Sequence, residues 1–243
     1  MKICLAQIAS DPGNIAANIA RHEEFISAAA EHKADLIVFP ELSICGYEPA
    51  VAVDTALQKE DERLDTFQQL SDAHALTIGI GVPLKQDTAV AIAMLIFQPA
   101  SPREVYAKKY LHEDEEPWFV SGESTVTAMG PENEIALAIC YEISVAEHAK
   151  EACNKETRIY LSSVAKTPGG VIKASDRLAA LASELKIVTM MSNCIGPCEG
   201  QQGGGKSAIW NGQGALISQL SENKEGMIIF DTETGDCLQR KLD

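Results

Sequence analysis

Between Leu76 and Cys140 the chain passes through five short apolar segments with no helical period among them: Leu76–Val82, Ala89–Gln98, Arg103–Ala107, Ser124–Met129 and Ile135–Cys140. Turn sequences such as Pro99-Ala-Ser-Pro102 separate them. Strands that succeed one another this closely pair antiparallel, because a parallel neighbour needs a long crossover connection. A single doubly wound sheet therefore fits poorly. On both sides of this block the period changes. Asn14–Lys33 reads as a helix with Ile15, Ile19, Phe25, Ile26 and Ala29 on one side, and Glu62–Ala75, Val145–Cys153 and Lys173–Leu185 read as three more. Ile3–Ile8, Leu36–Phe39, Arg158–Ser163 and Ile187–Ser192 read as strands. The last third is strand and turn: Ser207–Trp210, the hairpin signal Asn211-Gly212, Ala215–Leu220 and Met227–Phe230. The class is α/β, and the pattern suits two sheets packed face to face with helices outside.

With 243 residues, 46% of them hydrophobic and no composition break, the chain is expected to form one domain over 1–243. A net charge of −15 argues against a nucleic-acid surface, which wants clustered Lys and Arg. No apolar stretch reaches the length of a membrane span. The apolar run at Met1–Ile8 is too short for a secretion signal. The seven cysteines are odd in number and scattered, which suits a reduced, cytoplasmic protein. Cys194 and Cys198 have no second ligand pair in the sequence, so no metal centre is expected.

Three apolar runs end on reactive groups. Glu134-Ile-Ala-Leu-Ala-Ile-Cys140 ends on a thiol, Leu36-Ile-Val-Phe-Pro-Glu41 on a carboxylate, and Val105-Tyr-Ala-Lys108 on an ammonium. A thiol at a strand-to-helix turn is a soft nucleophile within a substrate's reach. A nearby base can take its proton, and a cation can stabilise the oxyanion that follows attack on a carbonyl. An acyl-transfer site using Cys140, Glu41 and Lys108 is the leading expectation, and it needs no metal and no organic cofactor.

A competing signal lies at Gly200-Gln-Gln-Gly-Gly-Gly205-Lys206-Ser207, which matches a phosphate-loop string. A phosphate loop requires a helix to begin at Lys-Ser so that its N-terminus faces the phosphates. Here Ala-Ile-Trp-Asn-Gly follows, a strand-and-turn sequence. The glycines read better as a loop that borders or closes over a site, with a nucleotide hydrolase as the lesser alternative.

Phe39-Pro-Glu41-Leu-Ser-Ile-Cys-Gly46-Tyr47, Lys108-Lys-Tyr-Leu111 and Ile139-Cys140-Tyr141-Glu142 together resemble the three signatures of the nitrilase, or carbon–nitrogen hydrolase, superfamily. The resemblance runs from Met1 to about Asp231. It implies a four-layer α-β-β-α sandwich, usually paired into a homodimer or higher homo-oligomer. It also implies cleavage of a non-peptide C–N bond of a small-molecule amide through a thioester, with no nucleic acid and no membrane as partner. By this match Glu41 is the general base, Lys108 the lysine (Lys109 is its rival) and Cys140 the nucleophile. Glu116 resembles the second glutamate, with Glu113 and Glu115 as alternatives in the same acidic run. Tyr47, Trp118, Tyr141 and Ser162 are the expected substrate-binding residues. Tyr141 after the nucleophile favours an amidase over a nitrile-cleaving enzyme. The segment Ser162-Ser163-Val164-Ala165 departs from the usual Asn-Pro-Ser-Ala, and the chain stops short of the C-terminal tail many members exchange across a dimer. A catalytically silent binding or assembly module on the same fold is the remaining alternative.

Overall fold

A computed structural model describes residues 1–242. The elements in the first half are β1 (Lys2–Gln7), α1 (Ile15–Glu31), β2 (Leu36–Val38), α2 (Pro49–Asp54), α3 (Asp65–His74), β3 (Thr77–Gln86), β4 (Ala89–Phe97) and β5 (Glu104–Ala107). The second half contains β6 (Ala128–Met129), β7 (Ile135–Ile139), α4 (Ala146–Ala152), β8 (Ile159–Val164), α5 (Pro168–Leu185) and β9 (Val188–Asn193). It closes with β10 (Pro197–Cys198), β11 (Gln201–Gln202), β12 (Ala208–Trp210), β13 (Leu216–Gln219), β14 (Gly226–Asp231) and β15 (Cys237–Lys241).

Two large sheets result. One has the order β15-β14-β1-β2-β3-β4-β5, the other β13-β12-β9-β8-β7-β6. The consecutive pairs β3–β4 and β4–β5 are antiparallel, as their short connections require, while β1–β2–β3 and β7–β8–β9 are parallel across helical connections. Hydroxyl groups join the sheets through the core. Ser192 Oγ donates to the carbonyls of Ala6 (2.6 Å) and Val38 (3.2 Å), and Ser163 Oγ donates to that of Phe39 at 2.8 Å. Such bonds satisfy polar groups that would otherwise be costly between two apolar faces. Helices α1 and α3 cover the first sheet through Phe25, Ile26 and Phe67; α5 covers the second through Leu178, Leu181 and Ala182. The α-β-β-α sandwich is present.

The departures from expectation are local. The segment expected as a strand over Ser124–Met129 pairs only at Ala128–Met129. The expected helix over Glu62–Ala75 is a 3-10 turn, Glu62–Leu64, followed by α3. Helix α5 starts at Pro168 rather than Lys173, because proline suits the first helical turn and the two glycines after it do not break the turn. Helix α2 and strand β15 have no counterpart in the sequence reading: each is short, α2 buries only Ala52 and β15 is mostly exposed, so neither carries a clean apolar period.

Candidate active site

The reactive side chains gather where strands of both sheets end. Glu41 follows β2, Lys108 follows β5, and Cys140 follows β7. The Glu41 loop lies directly on β3, where a Cβ at Gly81 would stand 2.3 Å from the Pro40 carbonyl oxygen, so only glycine admits this approach. Ile44 N–H then bonds the Gly81 carbonyl at 3.1 Å. Lys108 remains tied to the sheet, its N–H donating to the Ile92 carbonyl at 2.8 Å. Cys140 opens a 3-10 turn, Cys140–Ser144, at a φ of +44°. A non-glycine residue in this region holds strain of about 1–3 kcal/mol, the kind stored where a side chain must be presented out of a strand.

Glu41 and Lys108 are both buried. Lys108 Nζ donates to Glu41 Oε1 at 2.8 Å, and Glu41 Oε2 accepts the Ala165 N–H at 3.2 Å. Lys108 also donates to Glu115, whose Oε1 accepts the Tyr47 hydroxyl at 2.7 Å and whose Oε2 accepts the His112 N–H at 2.8 Å. The glutamate facing the lysine is thus Glu115. The expectation of Glu116 is corrected: its side chain is exposed. The turn at Glu115–Phe119, with Trp118 and Phe119 N–H groups both bonding the Glu115 carbonyl, buries Phe119 and Glu115 and points Glu116 outward. Lys109, the rival of Lys108, points the other way and pairs with Glu151 at the surface.

The electrostatics follow from burial. Burial raises the pKa of Glu41; Lys108 opposes that and Glu115 adds to it. Burial alone would lower the Lys108 pKa, but Glu41, Cys140 and Glu115 outweigh it and keep the group an ammonium. The Cys140 thiol is pushed up to about 12, first by burial and then by Glu41; Lys166 and Lys108 pull the other way. At rest, then, the thiol keeps its proton beside a carboxylate that can accept it.

Cys140 opens into a pocket of about 260 Å³ lined also by Tyr47, His112, Asp114, Glu115, Tyr141, Ala165, Lys166, Thr167, Gly170 and Glu199. Two of the four expected substrate-binding residues, Tyr47 and Tyr141, line it. Ser162 does not, since it is fully buried with its hydroxyl donating to the Met190 carbonyl at 2.6 Å. Nor does Trp118, which is 46% exposed on the turn. A larger cleft, about 470 Å³, lies at the starts of β2, β3 and β7 around Asp35, Leu36, Thr77 and Ile135. It holds no thiol. Lys166 was missed by the sequence reading. The rule that picked out Lys108, a lysine just past a buried strand, applies to it equally.

The glycine loop borders this pocket. Gly204 N–H donates to the Lys166 carbonyl at 2.7 Å, and a Cβ there would stand 2.8 Å from Pro168 N. Ser207 leads into strand β12, so no helix N-terminus is present to receive phosphates, and Lys206 pairs with Glu222 at 3.3 Å. The phosphate-loop reading is set aside.

Comparison with known proteins now decides the family. Residues 2–241 match the carbon–nitrogen hydrolase family. The chain belongs to that family. Its fold matches the amidase from Nesterenkonia sp. AN1, with a TM-score of 0.83 and 21% identity over 95% of this chain and 92% of that one. A variant of the same amidase carrying the acetamide moiety of fluoroacetamide on its active-site cysteine matches with a TM-score of 0.82 at 21% identity, over 94% of this chain and 89% of that one. In sequence the chain is 26% identical to the glutamine-dependent NAD(+) synthetase of Acinetobacter baylyi and 22% identical to that of Thermotoga maritima. Those alignments cover all of this chain but only 46% and 44% of the relatives, so the chain spans less than half their length.

Proposed function

We propose that this carbon–nitrogen hydrolase is a thiol amidase that cleaves a small amide and releases ammonia through a thioester on Cys140. The observation that carries the reading is the buried Glu41–Lys108–Glu115 chain set against a thiol that opens into a small pocket. Glu41 takes the thiol proton as sulfur attacks the amide carbon. The oxyanion meets Lys108 and the Tyr141 N–H, which lies in the first turn of the 3-10 segment and so has no acceptor within it. Glu41 returns the proton to the departing ammonia, then draws one from the water that cleaves the thioester. Glu115 holds Lys108 from its far side, and Tyr47 holds Glu115.

The relatives support an amide substrate from two directions. The Nesterenkonia amidase binds butyramide in a variant lacking its active-site cysteine, and the NAD(+) synthetases are glutamine-dependent by name. A pocket of about 260 Å³ suits an acyl group of a few carbons. The superfamily resemblance adds a homodimer to the proposal, which light scattering tests. For the activity, the protein and its Cys140→Ala variant are incubated with acetamide, butyramide and glutamine. Ammonia release is followed, together with intact mass. Ammonia release and an acyl adduct, both lost in Cys140→Ala, are expected. Ammonia release that persists in that variant sinks the assignment of the nucleophile, and no release from any amide sinks the amidase reading.

A further inference from the structure

Two lysines act on Cys140, and their surroundings differ. Lys108 is flanked by the carboxylates of Glu41 and Glu115, so the three groups together carry a net negative charge. Lys166 lines the same cavity as Cys140. The charges of Cys140 and Glu41 hold its pKa above the ordinary lysine value against burial. Among the described residues the carboxylate partners go to Lys108, which leaves Lys166 the cation whose charge is not already neutralised beside the nucleophile.

The backbone of Lys166 is fixed for this task. Its N–H donates to Asn193 Oδ1 at 2.8 Å, and its carbonyl accepts from Asn193 Nδ2 at 3.2 Å and from Gly204 N–H at 2.7 Å. Asn193 is itself anchored, Nδ2 donating to the Gly205 carbonyl at 2.8 Å. The side chain then crosses the first turn of α5 at Gly170, where a Cβ would stand only 3.4 Å from Lys166 Cβ. Three separate segments therefore hold Lys166 in the wall of the pocket that Cys140 also lines.

We propose that Lys166 is a catalytic residue whose ammonium stabilises the Cys140 thiolate from the wall of the pocket. The thiol proton passes to Glu41, the electron pair stays on sulfur, and Lys166 keeps its proton throughout. Lys166 and Lys108 both favour the thiolate through charge. Glu41 and Glu115 oppose it. Tyr47 faces the same space as a neutral phenol, and His112, Asp114 and Glu199 stand around the pocket. Lys166 is thus the cation that offsets a largely acidic lining. The inference rests on Cys140 as the nucleophile but requires no particular amide.

Alkylation tests it without turnover. The rates at which neutral iodoacetamide and anionic iodoacetate modify Cys140 are measured on the full chain from about pH 6 to about pH 10, with the peptide carrying Cys140 read by mass spectrometry. Cys140→Ala gives the background from the other thiols. Lys166→Met is expected to slow iodoacetamide about tenfold across this range, which lies below the thiol's titration midpoint, so that a rise of about one unit in that midpoint reads as an about tenfold lower thiolate fraction at every pH. The iodoacetate rate should fall further still, and Lys166→Arg should restore most of both. An unchanged iodoacetamide rate together with an unchanged iodoacetate-to-iodoacetamide ratio in Lys166→Met overturns the proposal. If that variant loses its folded circular dichroism, the unsubstituted protein decides. Its ratio should exceed that of a free thiol at low salt and fall as salt is added; a salt-independent ratio equal to the free thiol's overturns the proposal. Failure of every amide in the turnover assay leaves this measurement intact, so the two readings fail separately.

Discussion

Two buried carboxylates lie within a few residues of the reactive groups, and they are built for different work. Glu41 faces an ammonium and a thiol, and accepts a single backbone N–H, that of Ala165. Glu142 is held by donors that keep their protons at neutral pH, the N–H of Ile139 at 2.8 Å, the N–H of Lys109 at 2.8 Å and the hydroxyl of Tyr106 at 2.8 Å, with His148 Nε2 3.5 Å away. Glu142 therefore ties the residue before Cys140 to the residue after Lys108 and fixes the spacing of nucleophile and cation. Tyr106 continues to His148 at 2.9 Å, and His148 to the Tyr160 hydroxyl at 2.9 Å. A carboxylate surrounded by backbone donors is a brace; one surrounded by groups that exchange protons is a base. Burial alone does not tell the two apart, since both are at most 2% exposed.

The largest effect on turnover should come from Glu41→Gln. Removing the base is expected to lower kcat by about 10³-fold. Glu115 still faces Lys108 in that variant, so the thermal unfolding midpoint should drop less than in Glu142→Ala. A near-native rate in Glu41→Gln ends its role as base. The converse holds at the brace. Glu142→Ala leaves the buried Ile139 N–H and the half-buried Lys109 N–H without this acceptor and the Tyr106 hydroxyl with His148 alone, and an unsatisfied buried donor costs about 1–3 kcal/mol. A stability loss of several kcal/mol is expected in denaturant titration, with activity falling as the turn at Cys140 loosens. Full stability in Glu142→Ala would erase the distinction between the two carboxylates.

Glu115 and Glu116 sharpen the comparison at smaller scale. Glu115→Gln should lower kcat/KM by roughly 10- to 100-fold by weakening its hold on Lys108, whereas Glu116→Gln should stay within about twofold. Equal losses from both would remove Glu115 from the site. This pair also shows where the sequence stops being readable. Glu41, Lys108 and Cys140 were legible because each follows a buried strand, and a strand's end fixes where the next side chain points. Glu115 sits in the turn after Lys108, where neighbouring acids look alike and only the burial of Phe119 decides which one faces inward. The sheet order was readable in kind, antiparallel pairs in the middle and parallel ones across helices, because connection length limits pairing. Helix α2 was not: its Pro49–Asp54 run buries only Ala52. Ser162 looked like pocket lining because it stands where the resembling family carries Asn-Pro-Ser-Ala at the pocket floor, yet its hydroxyl bonds a neighbouring strand inside the same sheet.

The smallest effect belongs to the far end of the brace. Burial lowers the pKa of His148 below its ordinary 6.5, although Glu142 pulls the other way. The folded protein thus holds this ring neutral, while the unfolded chain protonates it more readily. The sign of the linkage follows: the stability contributed by neutral His148 is complete above about pH 6.5 and is lost as the pH falls toward the folded-state value. His148→Gln should therefore flatten the fall of stability between about pH 6.5 and pH 5, measured as the denaturant midpoint at each pH. His22 slopes the same way, its pKa pushed down to about 4 by burial, with its ring bonded to the Asn18 carbonyl and Ser43 hydroxyl. It remains in the variant, so the slope should shrink without vanishing. An unchanged slope would mean that Tyr106 and Tyr160 hold His148 equally well in either charge state. The Glu142 network would then be a brace that does not sense pH, and any acid sensitivity of the pocket would have to come from Glu41 and the groups around Cys140.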